Sequence, residues 1–326
     1  MSSTRKRGNA LGVNSAMHNE GGFSMSPKLL SVEVPNKLEL ELTRSCAQMC
    51  EHCSVFGAPM GTENDVSQEV LIRAIDQFAY LGGKRVVITG GEPFERGTEF
   101  VLELVRHASS RSLSTIIYTS GYPINETLAK NLAESGLSIA CVSLEGSGAV
   151  HEKITRVEGS YDYARRAIRL LYDSGITVVV HFTVMSPNVE DLTHVAEAAE
   201  AEGASSLKII NFIPQGRGRA NQDKLGIDDA HALLFFEEME LLKQKKSLKI
   251  EFGGQFERGK SECSIGKRIT ITCNGDVIPC LGVRWDKQYV FGNIKNSTLE
   301  SIWCSEKFLA LQHSSECICS VIWSKG

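Results

Sequence analysis

The sequence has no excess of basic residues: its 326 residues include 35 Lys and Arg against 39 Asp and Glu, a formal net charge of −4. Proteins that bind nucleic acid usually carry a basic footprint, so this class of partner is disfavoured. No apolar run approaches the roughly 20 residues that a transmembrane helix needs. No low-complexity tract and no repeat beyond a strand–helix unit is visible. These absences favour a globular protein that acts neither on nucleic acid nor within a membrane.

The N-terminus lacks the apolar core of a secretory signal. Residues 1–26 are polar and rich in Ser, Asn and Gly, so we predict a flexible leader over residues 1–30. Ten cysteines without an export signal indicate a reducing compartment, and metal binding rather than disulfides. We therefore expect a cytoplasmic metalloprotein.

Strand-like and helix-like segments alternate after the leader. Six strands are predicted, at residues 38–43, 85–89, 114–119, 139–144, 177–184 and 207–213. Helices are predicted at residues 66–80, 98–109, 125–135, 160–174, 189–202, 228–246 and, in the last part of the chain, 298–311. This alternation predicts an α/β fold of right-handed βαβ units, either a barrel or an open doubly wound sheet. In both folds ligands bind at the C-terminal ends of the strands.

Three cysteines, Cys46, Cys50 and Cys53, follow the first predicted strand within eight residues. With His52 they could form a Cys₃His zinc site. However, His52 and Cys53 are adjacent, and structural zinc ligands usually come as two separated pairs. Cubane iron–sulfur clusters normally take four thiolates, so three would leave one iron open to a ligand.

The spacing Cys46-x₃-Cys50-x₂-Cys53 after a first strand resembles the signature of radical S-adenosylmethionine (SAM) enzymes. In that family the open iron binds the amino and carboxylate groups of SAM. An electron from the cluster then cleaves SAM to a 5′-deoxyadenosyl radical, which abstracts hydrogen from the substrate. The resemblance implies a [4Fe–4S] cluster, SAM and a flavodoxin- or ferredoxin-type electron donor. It also implies a partial (β/α)₆ TIM-like barrel, which we place at residues 31–247.

Polar motifs at the ends of later strands extend this resemblance. The run Gly90-Gly91-Glu92-Pro93 is similar to the family's "GGE" motif, and Ser143-Leu144-Glu145 looks like its Ser-x-Asp/Glu site. By resemblance, Ser143 and Arg156 would hold the SAM carboxylate, Glu145 the ribose, and Ile213 the adenine. The implied cofactor-binding residues are Gly90, Gly91, Glu92, Pro93, Thr119, Ser120, Ser143, Glu145, Arg156 and Ile213. A plain turn at Thr119 and Ser120, and a solvated charge at Arg156, remain alternatives.

A second group of cysteines lies in the last part of the chain, residues 248–326. Its spacing, with Asn274-Gly275 as a tight-turn signal, resembles the SPASM/twitch domains that hold auxiliary clusters. The resemblance implies one auxiliary [4Fe–4S] cluster in a short, twitch-like domain. Its ligands would be Cys263, Cys280, Cys317 and Cys319. Cys317-x-Cys319 departs from the commoner Cys-x₂-Cys spacing, and a zinc ribbon is the alternative.

Three further residues have an open role. Cys273 precedes the predicted hairpin turn, where the resemblance to epimerases of the family implies a thiol as hydrogen donor, so it is our candidate catalytic residue. Cys141 lies inside a predicted buried strand and is interpreted as core packing. His181 could face the lumen of a barrel, although a hydrogen-bonded core histidine is the simpler interpretation.

The sequence therefore predicts a radical SAM enzyme of oxidoreductase or epimerase type. The compact C-terminal region favours a small sugar- or aminocyclitol-like natural product as substrate. The alternative is a peptide maturase that forms a thioether or carbon crosslink or epimerises a residue. From another class, a zinc-binding protein or an iron–sulfur electron carrier remains possible, but neither explains the motifs at successive strand ends.

Overall fold

The structure is a computed structural model that describes residues 33–253 and 266–312. Its strands are Lys37–Glu41 (β1), Arg85–Thr89 (β2), Ser114–Thr119 (β3), Ile139–Ser143 (β4), Thr177–Val184 (β5), Ser206–Asn211 (β6), Lys249–Gly253 (β7), Arg268–Ile271 (β8), Asp276–Ile278 (β9) and Gly292–Asn293 (β10). Its α-helices are Gln68–Tyr80 (α1), Thr98–Ser110 (α2), Glu126–Glu134 (α3), Gly148–Thr155 (α4), Ser160–Asp173 (α5), Leu192–Ala201 (α6), Arg217–Ala220 (α7), Gln222–Leu225 (α8), Asp229–Lys245 (α9), Leu299–Trp303 (α10) and Glu306–Gln312 (α11). None of the described helices is long and apolar enough to span a membrane.

All ten strands belong to one sheet with the order β10-β9-β8-β1-β2-β3-β4-β5-β6-β7. Strands β1 to β7 are parallel neighbours in chain order, as consecutive right-handed βαβ units require. Side chains from β1 to β8 line a single cavity, so the sheet curls around a lumen instead of lying flat. The α/β partial-barrel prediction is confirmed, with the barrel preferred over the open doubly wound sheet.

The first strand shows how the sequence sets the two faces of the sheet. In its Leu-Glu-Leu-Glu pattern, Leu38 and Leu40 are fully buried in the apolar core, which includes residues of α1 such as Phe78. Since strand side chains alternate between faces, Glu39 and Glu41 point to the other side. They are also buried, with 5% and 1% of their surface exposed. The inner face of the sheet is therefore polar, and its buried charges must be paired or bind a ligand.

The segment that follows the barrel joins the same sheet. Strand β8 pairs in parallel with β1, and β9 and β10 continue the sheet in antiparallel fashion. A buried ion pair fastens this segment to the barrel: Arg284 Nη1 lies 3.1 Å from Glu41 Oε2. Whether residues 248–326 form a domain of their own stays a prediction, and residues 254–265 and 313–326 lie outside the described residues.

Two details of the predicted secondary structure were wrong. A seventh parallel strand, β7, was missed because five residues with mixed polarity give no clear strand signal. The single helix predicted over residues 298–311 is two helices, α10 and α11. The Thr298 side chain caps the first, and the Ser305 hydroxyl accepts a hydrogen bond from Phe308 N at the start of the second. Polar caps thus divide a segment whose apolar spacing indicated one helix.

Candidate active site

A cavity of about 520 Å³ lies at the C-terminal ends of the barrel strands, within the size range of small-molecule sites. Its lining includes the three clustered cysteines and six of the predicted SAM-binding residues. These are Cys46, Cys50, Cys53, Gly90, Gly91, Thr119, Ser120, Ser143 and Glu145. Residues that are up to 99 positions apart in the chain thus meet at one place.

The loop that carries the three cysteines presents thiols suited to a cluster. Backbone N–H groups of Gln48 and Gly57 donate to the sulfurs of Cys46 and Cys53, at 3.4 and 3.1 Å. Burial raises the pKa of Cys46 to about 12, and burial with the nearby sulfurs raises the pKa of Cys50. Three neighbouring thiolates without a cation would repel one another, so the donor set fits a bound metal cluster that stabilises the thiolate form.

The arrangement of these thiols bears on which metal they hold. Among residues 33–253 and 266–312, no three Cys, His, Asp or Glu side chains are gathered tightly enough to share one ion. A zinc site needs four ligands converging on a single ion. In a cubane cluster each thiolate binds a different iron, so its ligands stand further apart. The three thiols of the cysteine loop would leave one iron of such a cluster open to another ligand.

Gly91 lets the strand-end motif pack directly on the start of the cysteine loop. Its N–H donates to Thr43 O at 2.7 Å, and the next N–H, of Glu92, donates to Ser45 O at 2.8 Å. A Cβ at Gly91 would overlap the carbonyl oxygen of Ser45 and lie 2.8 Å from Arg44 C. Close packing of the two backbones therefore requires glycine at position 91. The carbonyl that leaves no room for a Cβ belongs to Ser45, the residue immediately before Cys46.

Glu92 holds the end of β3 rather than lining the cavity. Its carboxylate is fully buried and accepts hydrogen bonds from Thr119 Oγ1 at 3.0 Å, Ser120 N at 2.9 Å and Ser120 Oγ at 2.7 Å. Burial nevertheless keeps the pKa of Glu92 above its usual value. The glutamate therefore orients Thr119 and Ser120, which do line the cavity. A direct contact of Glu92 with SAM stays a prediction.

Glu145 is a buried carboxylate on the cavity wall opposite β2. It accepts a hydrogen bond from Thr183 N at 2.8 Å, and His52 Nε2 lies 3.5 Å from its Oε1. Burial alone would raise the pKa of Glu145, but His52 and the Thr183 N–H outweigh it and hold the pKa below its usual value. An ionised acceptor here suits a hydroxyl donor, while ribose binding by Glu145 and carboxylate binding by Ser143 stay predictions.

Arg156, Pro93 and Ile213 lie outside the described cavity lining. Arg156 ends α4 in the left-handed conformation (φ 60°), and its Nη2 lies 3.2 Å from Glu51 Oε1. Lys224 Nζ lies 2.6 Å from the other oxygen of Glu51. Because Glu51 is part of the cysteine loop, these two cations hold the loop from outside. The predicted contacts of Arg156, Pro93 and Ile213 with SAM stay predictions.

Arg217 holds the cysteine loop through three hydrogen bonds to its backbone carbonyl groups. Its guanidinium donates to Cys50 O at 2.9 Å and Gly57 O at 2.8 Å, and its backbone N–H donates to Cys53 O at 2.9 Å. Arg217 lies in the run Pro-Gln-Gly-Arg-Gly that follows β6, and nothing in that run indicates a contact with the cysteine loop. Only the fold brings positions 50 and 217 together.

The C-terminal segment closes the opposite side of the loop. Trp285 Nε1 donates to Ser54 O at 3.1 Å, and its ring meets that of Phe56 edge-on with centroids 5.5 Å apart. The guanidinium of Arg44 lies 4.7 Å from the centre of the same indole. Leu281 reaches the cavity itself. The cysteine-rich segment is thus part of the wall of the candidate active site.

Comparison with known proteins agrees with this geometry. Residues 40–199 match the Radical SAM superfamily, and residues 263–320 match SPASM, an iron–sulfur cluster-binding domain. The two matches together cover about two thirds of the chain. The chain belongs to the radical SAM superfamily.

Proteins with similar sequences include two whose names refer to different kinds of molecule, an iron porphyrin and a peptide. Fe-coproporphyrin III synthase of Methanosarcina barkeri is 31% identical over 54% of this chain, a match that spans only 44% of the synthase. PqqA peptide cyclase of Granulibacter bethesdensis is 27% identical over 84% of this chain and 75% of the cyclase. The SuiB structure from Streptococcus suis bound to S-adenosylmethionine has a TM-score of 0.70 and 17% identity, covering 86% of this chain and 68% of SuiB. SuiB has also been solved with the precursor peptide SuiA.

As a radical SAM protein, the chain binds SAM and a [4Fe–4S] cluster. Its SPASM domain binds auxiliary iron–sulfur. Cys46, Cys50 and Cys53 would hold the SAM-binding cluster. Cys280 caps the short helical turn Leu281–Val283, next to the cavity wall. The other predicted auxiliary ligands, Cys263, Cys317 and Cys319, lie outside the described residues, so the ligand set and the count of one cluster stay predictions.

The remaining candidates occupy distinct places in this radical SAM fold. Cys273 is buried, and burial raises its pKa to about 12, so its thiol is protonated at neutral pH. It is absent from the described cavity lining, and its role as hydrogen donor stays a prediction. Cys141 is buried in β4, as expected for core packing. His181 lines the cavity, so its side chain faces the lumen.

Replacing Arg217 by methionine is expected to speed loss of the cluster by at least about tenfold. Two hydrogen bonds from a charged donor contribute about 1.5–3 kcal/mol each, and 1.4 kcal/mol corresponds to tenfold. The measurement is the rate at which a chelator removes iron from the reconstituted protein. Arg219→Met, an exposed position two residues on, is the matched control. Equal rates in both variants would show that the cysteine loop holds its shape without Arg217.

Proposed function

We propose that this radical SAM enzyme oxidises a side chain of a peptide, as a maturase that forms an internal crosslink. The observation that carries the proposal is the position of Leu281 in the cavity wall, directly after Cys280. When bound, the [4Fe–4S] cluster and SAM supply the radical that removes one hydrogen atom. An oxidation must also release a second electron, and Cys280 brings the ligand of an auxiliary centre beside the cavity.

The similarity to known proteins supports a peptide over a tetrapyrrole. The match to PqqA peptide cyclase extends over 84% of this chain, whereas that to Fe-coproporphyrin III synthase extends over 54%. Because the match to the cyclase is longer, it favours a common role for the cysteine-rich segment, as well as for the barrel, in the cyclase and in this chain. The sugar- or aminocyclitol-like substrate, the epimerisation reaction, the flavodoxin- or ferredoxin-type donor and the cytoplasmic location stay predictions.

The test uses protein reconstituted with iron and sulfide without oxygen, then reduced in the presence of SAM. It is incubated with a library of synthetic 20-residue peptides, and mass spectrometry searches for products 2 Da lighter. We expect one 5′-deoxyadenosine for each oxidised peptide. Release of 5′-deoxyadenosine with no lighter peptide, together with a mass change in coproporphyrin III, would overturn the peptide substrate.

The auxiliary centre is tested by Cys280→Ala. This variant is expected to form 5′-deoxyadenosine but to lose at least about nine tenths of the oxidised product, since the second electron has no acceptor at the cavity wall. Cys304→Ala is the matched control, because Cys304 packs beside the hydrophobic core. Full peptide oxidation by Cys280→Ala would contradict the proposed oxidative role of this segment.

A further inference from the structure

One wall of the cavity carries positive charge that the SAM machinery does not use. At the start of β1 and β8, two cations share one carboxylate: Lys37 Nζ lies 2.5 Å and Arg268 Nη1 3.6 Å from Glu39 Oε1. Thr270 Oγ1 donates to the second oxygen of Glu39 at 2.9 Å. Glu39 thus contacts both cations, and Arg268 Nη1 also lies 4.0 Å from Cys280 Sγ.

A third cation, Lys208, lines the same cavity from β6. The parallel register places it beside His181, which in turn lies beside Ser143. Gly253 on β7 leaves the space that the Lys208 stem fills, since a Cβ there would overlap Lys208 Cε. In the described part of the chain, Lys208 forms no hydrogen bond or ion pair. Its register neighbour Glu251 pairs with Lys249 instead, at 2.5 Å.

His181 supplies a second, independent sign that something binds here. It is 6% exposed, and its Nε2 is buried without a hydrogen-bond partner. Burial and the Lys208 charge lower its pKa to about 3, so the ring is neutral and can donate one N–H. A buried polar atom left without a partner costs about 1–3 kcal/mol unless a ligand satisfies it.

These residues line the same cavity, and we call them the basic wall: Lys37, Tyr118, His181, Lys208 and Arg268. The rings of Tyr118 and His181 meet edge-on with centroids 4.8 Å apart. In the described part of the chain, two carboxylates line this cavity: Glu39, which Lys37 and Arg268 contact, and Glu145, which His52 contacts. SAM carries a net positive charge, because its sulfonium and ammonium groups outnumber its single carboxylate.

We propose that the basic wall binds a carboxylate group of the substrate, with Lys208 as its ion-pair partner and His181 Nε2 as a hydrogen-bond donor. On the proposed peptide substrate, and resting on that proposal, this group is the side chain of a Glu or Asp residue near the reacting carbon. The site explains why Lys208, which has no ion pair among the described residues, and the partnerless Nε2 of His181 lie in one cavity.

The probe is a dansyl-labelled Gly-Glu-Gly amide and its Gly-Gln-Gly twin, titrated by fluorescence into the reconstituted, SAM-loaded enzyme. The Glu peptide is expected to bind at least about tenfold more tightly, since a charged hydrogen bond contributes about 1.5–3 kcal/mol. Lys208→Met is expected to erase the difference and Lys208→Arg to keep it. Lys249→Met, whose side chain is 70% exposed on the adjacent strand, should bind both peptides as the native protein does.

Two further measurements distinguish failure of the carboxylate site from failure of the proposed peptide substrate. SAM affinity is measured on the same variants: an equal loss for SAM in Lys208→Met would assign the wall to the SAM carboxylate and overturn the proposal. Coproporphyrin III and its tetramethyl ester form a second pair of probes. If only this pair shows a Lys208-dependent preference for the free acid, the carboxylate site stands and the peptide substrate fails. If neither pair shows a preference, the carboxylate site itself is wrong.

Discussion

Replacing Cys46, Cys50 and Cys53 together by alanine is expected to abolish 5′-deoxyadenosine formation and to remove about four iron atoms per chain. These thiols are the only cysteines in the described cavity lining. Without them, SAM has no iron to bind and no source of the electron. Iron that remains should belong to the auxiliary site, which the prediction assigns to Cys280 and to cysteines outside the described residues.

The measurement combines iron and sulfide analysis with a 5′-deoxyadenosine assay under reducing conditions. Cys141→Ala is the matched control, because Cys141 is equally buried but packs within β4. It should keep its full iron content. Loss of all iron in the triple variant would mean that the two cysteine groups hold one shared site. Continued SAM cleavage would refute the assignment of the three thiols.

Much of the barrel could be predicted because its signals are local. Each of the first six strands is a short apolar run followed by a helix, and βαβ units have one handedness, so strand order follows from chain order. The same rule brings motifs at successive strand ends to one rim, where Gly91, Thr119 and Ser143, which the family resemblance singled out, line the same cavity. Strand β7 was not predicted, because its sequence, Lys-Ile-Glu-Phe-Gly, has too few apolar residues to indicate a strand.

The contacts that shape the site could not be predicted, because they join residues that are distant in the chain. Arg156 was expected at SAM, but the structure pairs it with Glu51 across 105 positions. Arg217 reaches Cys50 across 167 positions. Nothing near either arginine in the sequence distinguishes a carboxylate of the ligand from a carboxylate or carbonyl of the protein. Only tertiary packing decides between these partners.

The charge of the lumen illustrates the same limit in another way. The pattern Leu-Glu-Leu-Glu in β1 suggests a strand with one face in water. The structure instead turns Glu39 and Glu41 to the inner face of the partial barrel, where Lys37, Arg268 and Arg284 pair with them. Composition gives a net charge of −4 for the whole chain. The basic wall inside an acidic protein becomes visible only once the strands are placed side by side.

Replacing Gly91 by alanine is expected to weaken SAM binding by at least about tenfold and to lower the iron content of the reconstituted protein. The new Cβ would overlap the Ser45 carbonyl and press on Arg44, and both are backbone atoms that cannot rotate away. Overpacking of this kind costs about 1–3 kcal/mol or more. The cysteine loop can escape the overlap only by moving, and Cys46 is the next residue.

The readouts are SAM affinity by equilibrium dialysis, iron content and the thermal unfolding midpoint by circular dichroism. Gly148→Ala is the matched control, because a Cβ there meets Tyr161 at 3.5 Å, an ordinary contact at the start of α4. We expect Gly148→Ala to bind SAM and iron as the native protein does. In Gly91→Ala the unfolding midpoint should fall far less than SAM affinity, since the overlap lies at the rim and spares the apolar core. Unchanged SAM affinity and iron content in Gly91→Ala would show that the loop can shift without disturbing the cluster, and that the packing of Gly91 on Ser45 does not position the cysteines.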